Sequence, residues 1–202
     1  MEKQNIGSII SKNISKLYGC RGARYILSLL FLALFICSCS AKVLPPPEWT
    51  YEKEAISLHI EADPKLNLNE GDAHTLHLCV YQLNDPNGFN QLSGDLNGLF
   101  TLLDCSIFDT SAAVVKQIIV HPGETIDIKL DRAENAKYLA VAAGYLKISK
   151  QRITRLINIP IVVKKEGFIR TTKTNVPALI NVDLYLGPTQ IKDIQSRIDQ
   201  DR

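Results

Sequence analysis

Several recognisable pieces of chemistry are missing from this sequence. It has no Gly-x-Ser-x-Gly run, so it lacks the nucleophile elbow of an α/β-hydrolase. It has no phosphate-cradling glycine loop and no Cys-x-x-Cys pair, which removes the usual signatures of nucleotide binding and of thioredoxin-like redox work. Met1 is the only methionine, so no internal methionine offers a later start, and Trp49 is the only tryptophan. The longest apolar run, Tyr25 to Ile36, is twelve residues. A spanning helix needs about 20, so this run is too short to cross a bilayer.

Charge of one sign is also missing once the chain is divided. The net charge is +2 over 202 residues, but residues 1–38 hold five Lys or Arg against one acidic residue. The remainder has 18 basic and 20 acidic residues, a net of −2. A near-neutral domain gives no electrostatic case for nucleic acid. The four histidines are dispersed. His74 and His77 stand three apart in what reads as a strand, so their side chains leave opposite faces and do not converge on a metal. His59 falls on a polar strand face and reads as simply solvated. No catalytic residue and no metal ligand is assigned, and an enzyme is not the expected class.

What is present begins with the short apolar run itself. Arg21 and Arg24 precede it, as in the charged front of a signal peptide. Ile36-Cys37-Ser38-Cys39 then resembles the bacterial lipoprotein box, with a small residue directly before the cysteine. Cys39 fits that pattern; Cys37, preceded by bulky Phe35 and Ile36, does not. Residues 1–38 are therefore expected to be a lipoprotein signal peptide and Cys39 the lipidated residue. The plainer alternative is an ordinary secretory signal with incidental cysteines. An acyl anchor gains about 0.8 kcal/mol per buried CH₂, and several chains together hold a protein in its membrane. Ser40, standing where inner-membrane retention would favour Asp, points to the outer membrane by the same resemblance. Apart from this lipid, no cofactor is expected.

Residues 39–54 read as a lipidated cysteine and a tether. Pro45, Pro46 and Pro47 favour extended polyproline II. Trp49 belongs either at the membrane interface or on the domain edge. If Cys39 carries lipid, Cys79 and Cys105 remain as an even pair in an oxidising compartment, and a disulfide between them is expected. Two buried free thiols are the alternative.

Downstream the period is that of β-structure. Ile56 to Ala62 alternates cleanly, and Ala73 to Leu83 follows with Leu76, Leu78 and Val80 on one face. Between them, Asp63 to Asp72 is rich in turn formers yet longer than a hairpin needs, and Leu66 and Leu68 within it have no obvious core to fill. Such loops are either idle or binding elements. From Phe89 to Leu103 the spacing turns helical, with Gly94 and Gly98 limiting it to one or two short helices within about 88–104. Strands are then predicted near 114–120, 125–130, 138–146, 156–163 and 180–186, with a tight turn at His121-Pro122-Gly123-Glu124. Short, regularly spaced strands with turns between them indicate a β-sandwich over 55–187. In the tail, 188–202, Ile191, Ile194 and Ile198 have helical spacing and suggest a short surface helix or a frayed end.

The order of these pieces resembles TssJ, the outer-membrane lipoprotein family of bacterial type VI secretion systems. The resemblance rests on LNLNEGDAH (Leu66 to His74), the strand ending Val80-Tyr81-Gln82-Leu83, and the Phe- and Leu-rich helical stretch. The Pro122-Gly123-Glu124 turn and YLAVAAGY (Tyr138 to Tyr145) complete it. Two departures stand out: Cys79 where the family usually has Arg, and Ile153-Thr154-Arg155 where a Trp-Arg pair would be expected. The resemblance implies an all-β fold, a transthyretin-like two-sheet β-sandwich with a short added helical segment, and no catalysis. It further implies a partner, the periplasmic part of the inner-membrane protein TssM, with TssL in the same complex. The partner-binding loop falls on Leu66, Asn67, Leu68, Asn69 and Glu70. A different binding role, a periplasmic β-sandwich lipoprotein that captures a small ligand or inhibits an enzyme, is the alternative.

Overall fold

The computed structural model describes residues 44–148, 152–167 and 171–199. The leader and Cys39 lie outside the described residues. The elements run β1 (Glu52–Ala62), β2 (Leu76–Leu83), α1 (Asn87–Ser93), α2 (Leu96–Leu103), β3 (Ala112–Val120), β4 (Thr125–Arg132) and β5 (Tyr138–Ala143). There follow β6 (Thr154–Asn158), β7 (Ile161–Glu166), β8 (Thr172–Pro177), β9 (Ile180–Leu186) and β10 (Ile191–Ile198).

They build two four-stranded sheets, ordered β10-β9-β1-β4 and β3-β2-β5-β6, and a separate hairpin, β7-β8. β1 lies between an antiparallel neighbour, β4, and a parallel one, β9. The fold is the expected two-sheet sandwich with an added helical segment. Its core lies between the sheets, where Ile56, Leu58 and Ile60 of β1 and Val182 and Leu184 of β9 meet Leu76, Leu78 and Val80 of β2 and Leu139 and Val141 of β5. All of these are essentially without solvent exposure.

The two central strands of the second sheet, β2 and β5, are buried on both faces, which explains why they read as near-continuous apolar runs and not as alternation. Cys79, Tyr81 and Leu83 leave the other face of β2 and pack, with Ala140 and Ala142, against Phe89 of α1 and Leu102 of α2. Alanine at those two positions of β5 leaves room for the helical layer. Tyr81 donates to the Leu102 carbonyl at 2.6 Å, and its ring lies 6.1 Å from Phe89 and 5.5 Å from Phe108. Burial pushes its phenol up to about 12. A disulfide joins Cys79 to Cys105, across 26 residues, and staples β2 to the segment after α2.

The helices are short, as the glycines foretold, but Gly98 is more than a weak helix former. A Cβ there would lie 2.1 Å from the Leu92 carbonyl oxygen, so glycine is what lets α2 start directly against α1. Asp95 caps α2 by accepting from the Gly98 N–H at 2.9 Å.

Several expectations need correction. The strand foreseen over 156–163 is two strands, β6 and β7, because Pro160 has no N–H to continue a ladder. β8, rich in Thr, Lys and Asn, was not foreseen. The tail is a strand, not a helix. β10 pairs with β9, and an irregularity between Ile191 and Asp193 adds a residue that brings Ile191 and Ile194 to the same side despite their three-residue spacing. β2 begins at Leu76, so His74 belongs to the preceding loop. β5 ends at Ala143, short of the 146 anticipated.

At the other boundary, Trp49 packs on the edge of the core. The Arg132 guanidinium lies over its ring, 5.9 Å from the centroid. Arg132 is only 2% exposed and donates from Nη2 to the Thr50 carbonyl at 3.2 Å, while Nε and Nη1 find no acceptor among the described residues. Burial lowers its pKa accordingly. Gln82, also buried, ties the two sheets: it donates to the Asp131 carbonyl and accepts from the Ala133 N–H, both at 2.7 Å.

Candidate functional site

β1 runs the length of the sandwich, eleven residues or about 35 Å at the usual rise, from Trp49 and its neighbours at one end to the long loop at the other. That loop, residues 63–75, meets three other connections at its end of the molecule. Gly123 of the β3–β4 turn donates to the Asp63 carbonyl at 3.2 Å, Leu68 donates to the Pro188 carbonyl at 2.7 Å, and Asp63 donates to the Leu186 carbonyl at 2.8 Å. The third connection, after β5, is reached through Asn67.

Asn67 organises the loop from within. It is 4% exposed and its backbone is left-handed, with φ 51°. Its amide Nδ2 donates to the Thr75 carbonyl at 3.0 Å, and its Oδ1 accepts from the Leu146 N–H at 2.8 Å. Asparagine suits both demands, since its short polar side chain tolerates that region of backbone space. Leu66, read from the sequence as a leucine without a core, has one: it is fully buried among the inter-sheet residues. His74 donates from its backbone to the Leu66 carbonyl at 3.0 Å and closes the loop on itself.

The tip is a tight reversal. Asn69 and Asp72 exchange backbone hydrogen bonds at 2.9 and 3.0 Å, and Glu70 and Gly71 both have positive φ, 52° and 101°. Of the five residues singled out from sequence, Leu66 and Asn67 therefore point inward and shape the loop. Leu68 and Asn69 are half-buried, and Glu70 is exposed. Leu146, anchored by Asn67 and 58% exposed, belongs to the same surface. It was not singled out because only the fold brings it beside the loop. Tyr145 next to it donates to the Gly187 carbonyl at 3.1 Å, and burial raises its pKa.

A second polar cluster lies on the outer face of the first sheet, where Ser57, His59, Asp127, Asp183 and Arg197 line a shallow groove. His59 is not merely solvated. Its Nδ1 is 2.6 Å from Asp127 Oδ1, and that hydrogen bond raises its pKa. Arg197 bonds Asp183 at 2.5 Å on the neighbouring strands. Ser57 shares the face with His59, but no hydrogen bond links the two side chains. This arrangement pairs charges across strands and does not activate a nucleophile. Among the described residues no three His, Cys, Asp or Glu side chains gather as metal ligands would.

The class of fold is thus an open two-sheet sandwich with a folded, internally anchored loop at one end. A family model described as "Type VI secretion lipoprotein, VasD, EvfM, TssJ" matches residues 54–181, a span that contains the loop, and the chain belongs to that family. Among solved structures it is similar to the type VI lipoprotein TssJ1 from Pseudomonas aeruginosa. The identity is 19%, the match covers 76% of this chain and 99% of that one, and the TM-score is 0.53. It is also similar to Serratia marcescens Lip, a membrane-bound component of the type VI secretion system. There the identity is 17%, coverage is 73% and 98%, and the TM-score is 0.50. None of the curated proteins compared with it matches in sequence. No helix among the described residues is long and apolar enough to cross a membrane.

Proposed function

We propose that this protein is an outer-membrane-anchored lipoprotein that grips the periplasmic part of TssM and so anchors the envelope complex of a type VI secretion system, with TssL in the same assembly. The observation that carries this reading is the placement of the two ends of β1. The strand begins beside Trp49, ten residues after Cys39 in sequence, and ends in the loop of Leu66–Glu70. A lipid on Cys39 thus holds one end of the sandwich at the membrane, and the loop is presented at the far end, toward the periplasm. Leu66 and Asn67 hold the loop's shape; Leu68, Asn69 and Glu70, with Leu146, make the contact. A loop already ordered by its own hydrogen bonds loses little conformational entropy on binding. The role is mechanical, with no substrate turned over.

The test is a pull-down from detergent-solubilised envelopes using the lipidated protein, with Leu68→Asp and Glu70→Arg together as the variant. Recovery of a large inner-membrane protein by the parent alone, with the variant equally stable, supports the reading. Equal recovery by both would move the contact off the loop.

A further inference from the structure

The β7-β8 hairpin belongs to neither sheet, and a two-stranded sheet is marginal on its own. Residues directly opposite in an antiparallel pair share a face, so Ile161, Val163 and Lys165 stand with Pro177, Asn175 and Lys173. The opposite face carries Val162, which packs against the core. The first face therefore looks outward, and it is unusual for a surface strand pair: Ile161 and Val163 are 52% and 51% exposed.

Its charges are one-sided. Lys165 and Lys173 are both exposed and lie directly across from each other, an arrangement that repels in water. Neither has a carboxylate partner among the described residues, whereas Lys164, on the other face, is neutralised by Glu166 at 2.9 Å.

The chain arriving from the N-terminus crosses this same face. Asn175 Nδ2 donates to the Pro45 carbonyl at 2.9 Å, and Ile161 lines one hollow with Pro46 and Pro47. Pro45 is six residues after Cys39, a span of at most about 20 Å for an extended chain. A lipidated Cys39 would therefore confine this face, with its two valine-like side chains and two unpaired lysines, to the neighbourhood of the headgroups.

We infer that the outward face of the β7-β8 hairpin docks on the anionic headgroups of the leaflet that holds the anchor, as a second membrane contact that fixes the orientation of the sandwich. The inference rests on Cys39 being lipidated. Lys165 and Lys173 supply charge complementarity, Ile161 and Val163 enter the interface, and the loop at the opposite end of β1 is aimed away from the membrane. An anionic surface also relieves the repulsion between the two lysines, so docking stabilises the hairpin that makes it.

The experiment uses the mature lipoprotein with Val163→Cys carrying a nitroxide; acylated Cys39 and the Cys79–Cys105 bond leave the new thiol as the one to label. The protein is reconstituted in vesicles of phosphatidylethanolamine with either phosphatidylglycerol or phosphatidylcholine, and the label's accessibility to a water-soluble nickel complex is measured. A label on Glu70→Cys, in the far loop, is the reference. In phosphatidylglycerol vesicles the label at 163 should be severalfold less accessible than the one at 70. Lys165→Glu with Lys173→Glu, or phosphatidylcholine, should abolish the difference. Equal accessibility at the two positions in protein that floats with the vesicles would overturn the docking while leaving the anchor intact. Shielding that needs native envelopes and is absent in pure lipid would assign the face to a protein partner and overturn it as well. Protein that does not float and has no acyl mass on its N-terminal peptide would overturn the anchor, and the docking with it.

Discussion

Replacing Asn67 by alanine separates the frame of the loop from the surface proposed to make the contact. The side chain makes two hydrogen bonds, to the Thr75 carbonyl and from the Leu146 N–H. Each neutral bond is worth about 1 kcal/mol net, so the pair accounts for roughly 2 kcal/mol. The backbone adds to this, because φ is 51° and a β-carbon without a compensating polar group costs about 1 kcal/mol or more in the left-handed region. The expected loss is therefore about 3 kcal/mol. It should register in global unfolding, because Leu66 beside it is buried in the inter-sheet core and the loop cannot open without exposing that core. Urea unfolding of oxidised protein measures the loss, and amide exchange at Leu146 reports the bond directly. Asn67→Gly loses the same hydrogen bonds without the steric penalty. Even after glycine's extra chain entropy is subtracted it should be no worse than alanine, and Leu68→Asp, at a half-buried position, should cost no more than about 1 kcal/mol. A loss below about 1 kcal/mol for alanine, or glycine clearly worse than alanine, would refute the claim that Asn67 is a structural residue.

The Cys79–Cys105 bond closes a loop of 26 residues, and the chain-entropy relation gives about 3.5 kcal/mol for its removal. Cys79→Ala with Cys105→Ala should lower the urea midpoint by the corresponding amount, whereas a change under about 1 kcal/mol would mean that the helical layer holds without its staple. His59 should titrate above the ordinary value of about 6.5, because the bond to Asp127 favours the protonated ring, and Asp127→Asn should bring it back down in an NMR titration. With the folded value above the unfolded one, the stabilisation is complete below about pH 6.5 and is lost as pH rises through the folded value. With the His59 and Asp127 side chains 37% and 79% exposed, it should stay under about 1 kcal/mol. A histidine titrating at or below 6.5 would remove the pair from the account.

Much of the sandwich is legible where a strand has one wet face. β1 alternates because only one of its sides meets the core, and β9 does the same, with Ile180, Val182, Leu184 and Leu186 inward. The helical stretch was readable from its period and its glycines, although the need for Gly98 became visible only with α1 beside it. The parity of cysteines pointed to Cys79 and Cys105 but could not say that Cys79 lies buried beneath a helical layer and Cys105 at that layer's end. What escaped depended on contacts far apart in the chain. β10 looked helical because the irregularity that offsets Ile191 from Ile194 exists only against β9. The His59–Asp127 bond depends on the register of strands 68 residues apart.

The loop is the instructive case, because the reason for singling it out from the sequence was half mistaken. Leu66 and Leu68 seemed to lack a core, so both read as contact residues. Leu66 fills a gap that exists only once β9 has paired in parallel with β1 and brought Leu186 to the base of the loop, where Asp63 donates to its carbonyl. A parallel pairing between the first and ninth strands cannot be inferred from local periodicity. It is also what makes the segment a usable loop. Without Leu66 buried and Asn67 bonded, Leu68, Asn69 and Glu70 would sit on a mobile chain, and ordering them would consume binding free energy. On the proposed function, the residue that least resembles a binding residue in the structure is thus one on which binding would depend. Its substitution should weaken partner capture through the shape of the loop, and substitutions at Leu68 or Glu70 should do so with stability intact.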